Sequence, residues 1–158
     1  MKLYIVRHGK AEKESPSGSD ADRRLRPRGI AQAKFLGQQF AAMSPRPGLI
    51  LTSGLTRALS TAKVISEVLK CPLQEEPVLQ LGHAAEAVLE AIPRAAPQGD
   101  IMVVGHNPQL EELLDLLVGP DSDVDRSLRT GEAVLLEITR REDPAGSARV
   151  LKRWRMDE

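Results

Sequence analysis

Three short apolar runs, Leu3 to Val6, Leu49 to Leu51 and Ile101 to Val104, are each followed, across a polar stretch, by a segment of helical periodicity. That rhythm constrains the fold more than any other feature. Apolar runs this short, with no polar alternation, read as strands buried on both faces. Strands alternating with helices build a layered α/β domain around a mainly parallel sheet. From Gly29 onward, Ile30, Ala33, Leu36, Phe40 and Met43 fall at spacings of three and four, with Pro45 and Pro47 as the stop. Leu55, Ala58, Leu59, Ala62, Ile65 and Leu69 share a second helical face, and Ala84 to Ile92, closed by Pro93, forms a third helix. Leu110, Leu113, Leu114 and Leu117 mark a fourth, with Asn107 as its N-cap and Pro108 at its first position. Pro77 to Leu79 reads as a short strand. Val134 to Ile138 and Val150 to Trp154, joined by a turn through Asp143-Pro144-Ala145-Gly146, read as a late hairpin that makes the sheet mixed. The expectation is one domain over residues 1–158, a three-layer α/β/α sandwich.

Charge and cysteine content exclude several functions. Lys plus Arg and Asp plus Glu are both 22, so no bulk field draws the chain to nucleic acid or anionic lipid, and anion binding must be local. The single cysteine, Cys71, follows an apolar helical face with no basic neighbour beyond Lys70, and it reads as a small buried residue, not a nucleophile. One cysteine permits no internal disulfide, which fits a reducing compartment. No apolar run approaches the length of a signal-peptide core or a membrane span, so a cytoplasmic protein is expected.

In sheets of this kind ligands sit beyond the carboxyl ends of the parallel strands. Three such ends carry chemistry here: Arg7-His8-Gly9 after the first run, Arg57 one turn into the helix after the second, and His106 after the third. Two arginines and two histidines from distant sequence therefore converge. The planar arginine fork suits phosphate oxygens, and its charge does not titrate away. Arg57 lies off its helix's apolar stripe and near its N-terminus, where a cation is disfavoured unless an anion is bound. Gly9 permits close backbone approach of a phosphate. With one ring nitrogen held by a carbonyl, His8 has the other free as a nucleophile toward phosphorus.

These residues also carry a resemblance. Arg7-His8-Gly9, Thr52-Ser53-Gly54-Leu55-Thr56-Arg57-Ala58 and Val104-Gly105-His106-Asn107-Pro108 resemble, in order, the motifs of the histidine phosphatase (phosphoglycerate mutase-like) superfamily. The short length and Asp22-Arg23-Arg24-Leu25-Arg26-Pro27-Arg28-Gly29 before the first helix are similar to its SixA-type phosphohistidine phosphatase branch. The resemblance implies a phosphoglycerate mutase-like fold, His8 as the phosphorylated nucleophile, a phosphate pocket of Arg7, Arg57 and His106 with Gly9 and Asn107 beside it, and no metal or organic cofactor.

One departure from that pattern bears on substrate. Where many members carry an acidic proton donor, this chain has Gln80 in Val78-Leu79-Gln80-Leu81. An alkoxide leaving group needs a proton, whereas a protonated imidazole leaves far more readily. The expectation is therefore a phosphatase acting on phosphohistidine, in a protein or a small surrogate, with Asp20, Asp22 or Glu12 as substitute acids. The rivals are a general phosphomonoesterase of the same superfamily and a phosphate-sensing or protein-binding module without turnover. Expected partners are a phosphorylated protein, a histidine-phosphotransfer domain among them, or a small phosphorylated substrate, with no nucleic acid and no membrane, and the chain a monomer. His83 reads as a loop or cap residue, Asp22 as a partner of the neighbouring arginines, and Arg23, Arg24, Arg26 and Arg28 as a solvated basic loop able to dock an acidic protein.

Overall fold

A computed structural model describes residues 1–43, 46–95 and 99–157. Strand β1 (Lys2–Arg7) is followed by α1 (Pro27–Ala41), β2 (Leu49–Thr52), α2 (Thr56–Leu69), β3 (Leu73–Glu75), α3 (Ala85–Ala95), β4 (Ile101–Gly105), α4 (Gln109–Val118), β5 (Glu132–Ile138) and β6 (Ala148–Arg155). The strands form one mixed sheet in the order β3-β2-β4-β1-β5-β6. β3, β2, β4 and β1 pair in parallel, while β5 is antiparallel to β1 and β6 to β5.

Alternation along the central strands separates two cores. Tyr4, Val6, Ile50, Met102 and Val104 meet Leu36 and Phe40 of α1 and Ala58, Ala62 and Ile65 of α2. Leu3, Ile5, Leu51, Ile101 and Val103 meet Val88 and Ile92 of α3 and Leu110, Leu113, Leu114 and Leu117 of α4. Two helices thus cover each face, giving the three-layer sandwich. With the inner residues of the central strands buried on both faces, slippage by one residue would exchange the two cores, so the register is strongly specified. Trp154 on edge strand β6 stacks near Tyr4 and meets Phe40 edge-on. Cys71 is buried. Among the described residues no helix is long and apolar enough to cross a membrane.

Several boundaries differ from the sequence expectations. α1 begins at Pro27, because a proline at the first helical position lacks only an N–H that would be unpaired there. It stops at Ala41, and Pro45, one of the expected stops, lies outside the described residues. Pro77–Leu79 is a 3₁₀ turn, not a strand: Pro77 has no N–H for a ladder, and the Glu76 carboxylate accepts from Val78 N–H. The third strand is instead Leu73–Glu75, paired with Ile50 to Thr52. Pro93 lies inside α3, one turn from its end, not after it. α4 starts at Gln109 with Pro108 as its N-cap, and Asn107 does not cap it, because its side-chain amide is engaged elsewhere.

The segment between β1 and α1, expected as one long loop, folds back on itself. Ala11 and Leu25 form an antiparallel bridge, and Asp20–Asp22 is a 3₁₀ turn capped by Ser19. Two glycines let it return. A Cβ on Gly9 would lie 2.5 Å from the Gly29 carbonyl oxygen, and one on Gly29 only 2.2 Å from that of Lys10.

Candidate active site

β1, β2 and β4 run in parallel, so Arg7, Thr52 and Gly105 end on one edge of the sheet. Beyond that edge lies a pocket of about 310 Å³ lined by Arg7, His8, Arg57, His106 and Asn107 together with Lys10, Ala11, Arg23, Leu81 and Thr130. The residues expected from three separate strand ends do converge.

His8 is buried, and its backbone N–H donates to the Gly105 carbonyl, tying the end of β1 to that of β4. Its Nδ1 lies 2.8 Å from the Gly9 carbonyl oxygen. A carbonyl can only accept, so Nδ1 carries the proton and Nε2 keeps its lone pair. Gly9 does not line the pocket. It orients His8 through its carbonyl, and its N–H donates to Thr61 Oγ1 at 3.0 Å, while Thr61 donates to the Arg57 carbonyl. Thr61 thus joins the His8 turn to α2. Its signal in the sequence is its place one turn after Arg57.

His106 lies beside His8, with ring centroids 5.2 Å apart. Its Nε2 is 2.8 Å from Ser53 Oγ, and its buried Nδ1 has no partner in the fold. Burial pushes His8 down to about 4, with Arg57 and Arg7 acting in the same direction against the Gly9 carbonyl. Burial, then His8 and Arg57, push His106 to about 3. Both rings are therefore neutral near pH 7.

Arg7 donates to the Leu128 carbonyl at 3.1 Å, and the Asn107 amide donates to the same oxygen at 2.7 Å. Leu128 carries no sequence signal, since only its backbone is used. Arg57 is 5 % exposed and makes two bonds to Asp20, Nη1 to the backbone oxygen at 2.9 Å and Nη2 to the carboxylate at 3.0 Å. Hydrogen bonds from Arg23 and Arg57 hold the Asp20 carboxyl below the usual range.

None of the three candidate acids lines the pocket, and Asp20 reaches it only through Arg57. Glu12 pairs with Arg26 at 3.5 Å. Asp22 accepts from Ser17 Oγ, not from the neighbouring arginines as expected, because Arg23 turns to Asp20 and to the Glu12 carbonyl. Gln80 and His83 line an adjoining cleft, not the His8 pocket. Among the described residues, no carboxylate lines the His8 pocket, and no group of three or more His, Cys, Asp or Glu side chains is placed to hold a metal ion. The arrangement presents two guanidinium groups and a free imidazole nitrogen to a small anion.

Comparison with known proteins gives three further findings. The family model described as the histidine phosphatase superfamily (branch 1) matches residues 3–80. An uncharacterized protein of Picosynechococcus sp. is 32 % identical over 118 residues, which cover 71 % of this chain and 70 % of that one. The fold superposes on a structure described as a candidate phosphohistidine phosphatase SixA of Nakamurella multipartitia with a TM-score of 0.85 at 21 % identity, covering 97 % of this chain and 94 % of that one. It superposes on the protein histidine phosphatase SixA complexed with tungstate with a TM-score of 0.82 at 19 % identity, covering 99 % and 96 %. At these identities the likeness to the solved structures is one of fold.

Proposed function

As this chain belongs to the histidine phosphatase superfamily, branch 1, we propose that it removes phosphate from phosphohistidine through a covalent phospho-His8 intermediate. The observation that carries this reading is the hydrogen bond between His8 Nδ1 and the Gly9 carbonyl, which leaves Nε2 as the nucleophilic atom beside two arginines.

The reaction proceeds in two displacements. The Nε2 lone pair of His8 attacks phosphorus while the bond to the leaving nitrogen breaks and its electron pair stays on that nitrogen. A substrate ring already protonated on its far nitrogen departs as neutral imidazole, so no enzyme acid is required. Water then attacks phospho-His8, the phosphorus–Nε2 bond breaks, and His8 regains its neutral, Nδ1-protonated form as the water proton leaves with phosphate. Arg7 and Arg57 stabilise charge on the equatorial oxygens, and His106 donates from Nδ1.

Asp20, the carboxylate that reaches Arg57, is held in its charged form by Arg23 and Arg57, which makes it a poor proton donor and favours a phosphoramidate over an alkyl monoester, whose alkoxide must be protonated as it leaves. The SixA structures, one described as a phosphohistidine phosphatase and the other as a protein histidine phosphatase, support the same substrate class. The partner in this reading is a phosphorylated protein reaching a pocket lined in part by Lys10 and Arg23. The test is turnover of phosphohistidine against glycerol phosphate by wild type and His8→Ala. Strong preference for phosphohistidine, an acid-labile phosphoenzyme and loss of both in the variant are expected. Equal use of glycerol phosphate overturns the substrate assignment, and phosphate binding without turnover overturns the enzymatic one.

A further inference from the structure

A second cleft of about 150 Å³ opens beside the His8 pocket, between residues 79–83 and the start of α4. Leu81, His106 and Asn107 line both cavities, so the two lie side by side on a shared wall. The walls of the second are largely apolar, from Leu79, Leu81 and Pro108, with Gln109 set among them and Glu112 and His83 also lining it.

Two side-chain amides here have their orientation fixed by backbone carbonyls. Gln109 Nε2 donates to Val78 O at 2.6 Å and to His83 O at 3.1 Å, and Asn107 Nδ2 donates to Leu128 O. Carbonyls accept only, so neither amide can be reversed, and Gln109 Oε1 and Asn107 Oδ1 are true acceptors. Both are buried and find no donor in the fold, although Gln109 is only 7 % exposed. Unpaired buried acceptors cost stability, and two of them on residues that line one cleft beside a phosphate pocket point to a donor brought by the ligand.

We propose that this cleft receives the leaving group of the substrate, and that it takes an imidazolium ring by its apolar faces and by the N–H on its far edge. The cavity, about 150 Å³ open to the centres of water molecules, admits several waters and so a ring the size of imidazole. The Glu112 carboxylate favours a cation, so the two cavities together suit a zwitterion, with phosphoryl over the arginines and imidazolium over the acceptors. Holding that far proton keeps the ring in the form that leaves without an enzyme acid, the part Gln80 does not play. This inference rests on the phosphohistidine reading and adds the site that recognises the ring.

The test compares phosphohistidine with phosphoramidate, whose ammonia leaving group does not fill the cleft, for wild type, Gln109→Met and Glu112→Gln. The ratio of kcat/KM for phosphohistidine to that for phosphoramidate is expected to fall about tenfold in Gln109→Met and several-fold in Glu112→Gln, through KM more than kcat. Glu112 is exposed, so its variant retains the fold even if Gln109→Met disturbs the loop that Gln109 tethers. An unchanged ratio in Glu112→Gln and in folded Gln109→Met overturns the cleft assignment and leaves the proposed function standing. A wild type that hydrolyses phosphoramidate but not phosphohistidine overturns the functional reading itself.

Discussion

At the scale of single residues, the site depends on which atom of each histidine carries its proton. For His8 the Gly9 carbonyl decides it. For His106 the partner is Ser53, whose Oγ already accepts the Leu55 N–H at 3.2 Å. Its hydroxyl hydrogen is free to go to His106 Nε2, and the reaction proposed above, in which the ring donates from Nδ1, assigns it there. Ser53 is a positioning residue in this account. Ser53→Ala is expected to lower kcat about tenfold with a smaller change in KM, the loss of roughly one hydrogen bond's orienting energy. Ser53→Thr, which keeps the hydroxyl, should recover part of the rate. Equal falls in kcat and stability, with no recovery in Ser53→Thr, would assign the serine to packing alone.

At the scale of elements, the segment between β1 and α1 brings Asp20 onto Arg57, one of the guanidinium groups that line the pocket. A bound phosphate must displace that carboxylate or share its donors. The carboxylate is 54 % exposed, so the pair is worth little, about 0–1 kcal/mol after screening. Asp20→Ala should therefore tighten tungstate binding a few-fold, as measured by calorimetry. Weaker binding would mean that Asp20 holds Arg57 in place and does not compete with the ligand. Little of this was legible in the sequence. Strands and helices announce themselves by periodicity, and Arg7, His8, Arg57 and His106 by their places at strand ends. The return of the polar segment depends on Gly9 meeting Gly29, a contact between backbones that no side-chain pattern encodes. The same is true of the Leu128 carbonyl, which anchors both Arg7 and Asn107. It is also why Asn107, in a good capping position by sequence, serves a different bond.

At the scale of the whole molecule, the mainly parallel mixed sheet and its flanking helices were largely readable, because a sheet buried on both faces leaves an unbroken apolar run wherever it passes. What the pattern could not show is that the same burial keeps two histidines side by side and uncharged, with consequences for the stability of the entire fold. In the unfolded chain each takes up a proton near 6.5. In the folded chain His8 does so only near about 4 and His106 only near about 3. Between these values the unfolded state binds more protons, so stability rises with pH and is lost as the solution is acidified from about 6.5 toward 4. Each histidine contributes a slope of about 1.4 kcal/mol per pH unit in that window. The depressed carboxyl of Asp20 adds a loss only below the ordinary carboxylate range, outside it. Urea unfolding should therefore show a midpoint markedly lower at pH 5 than at pH 7. His106→Gln, which removes one of the two titrating rings, should flatten the difference by roughly half. A bound oxyanion, by stabilising the charged rings, should restore stability at pH 5 more than at pH 7. A midpoint that does not move between the two values would mean that the rings are charged, or solvated, in the folded protein. His106 would then enter the reaction as a cation, and the donor role given to Ser53 would fall with it.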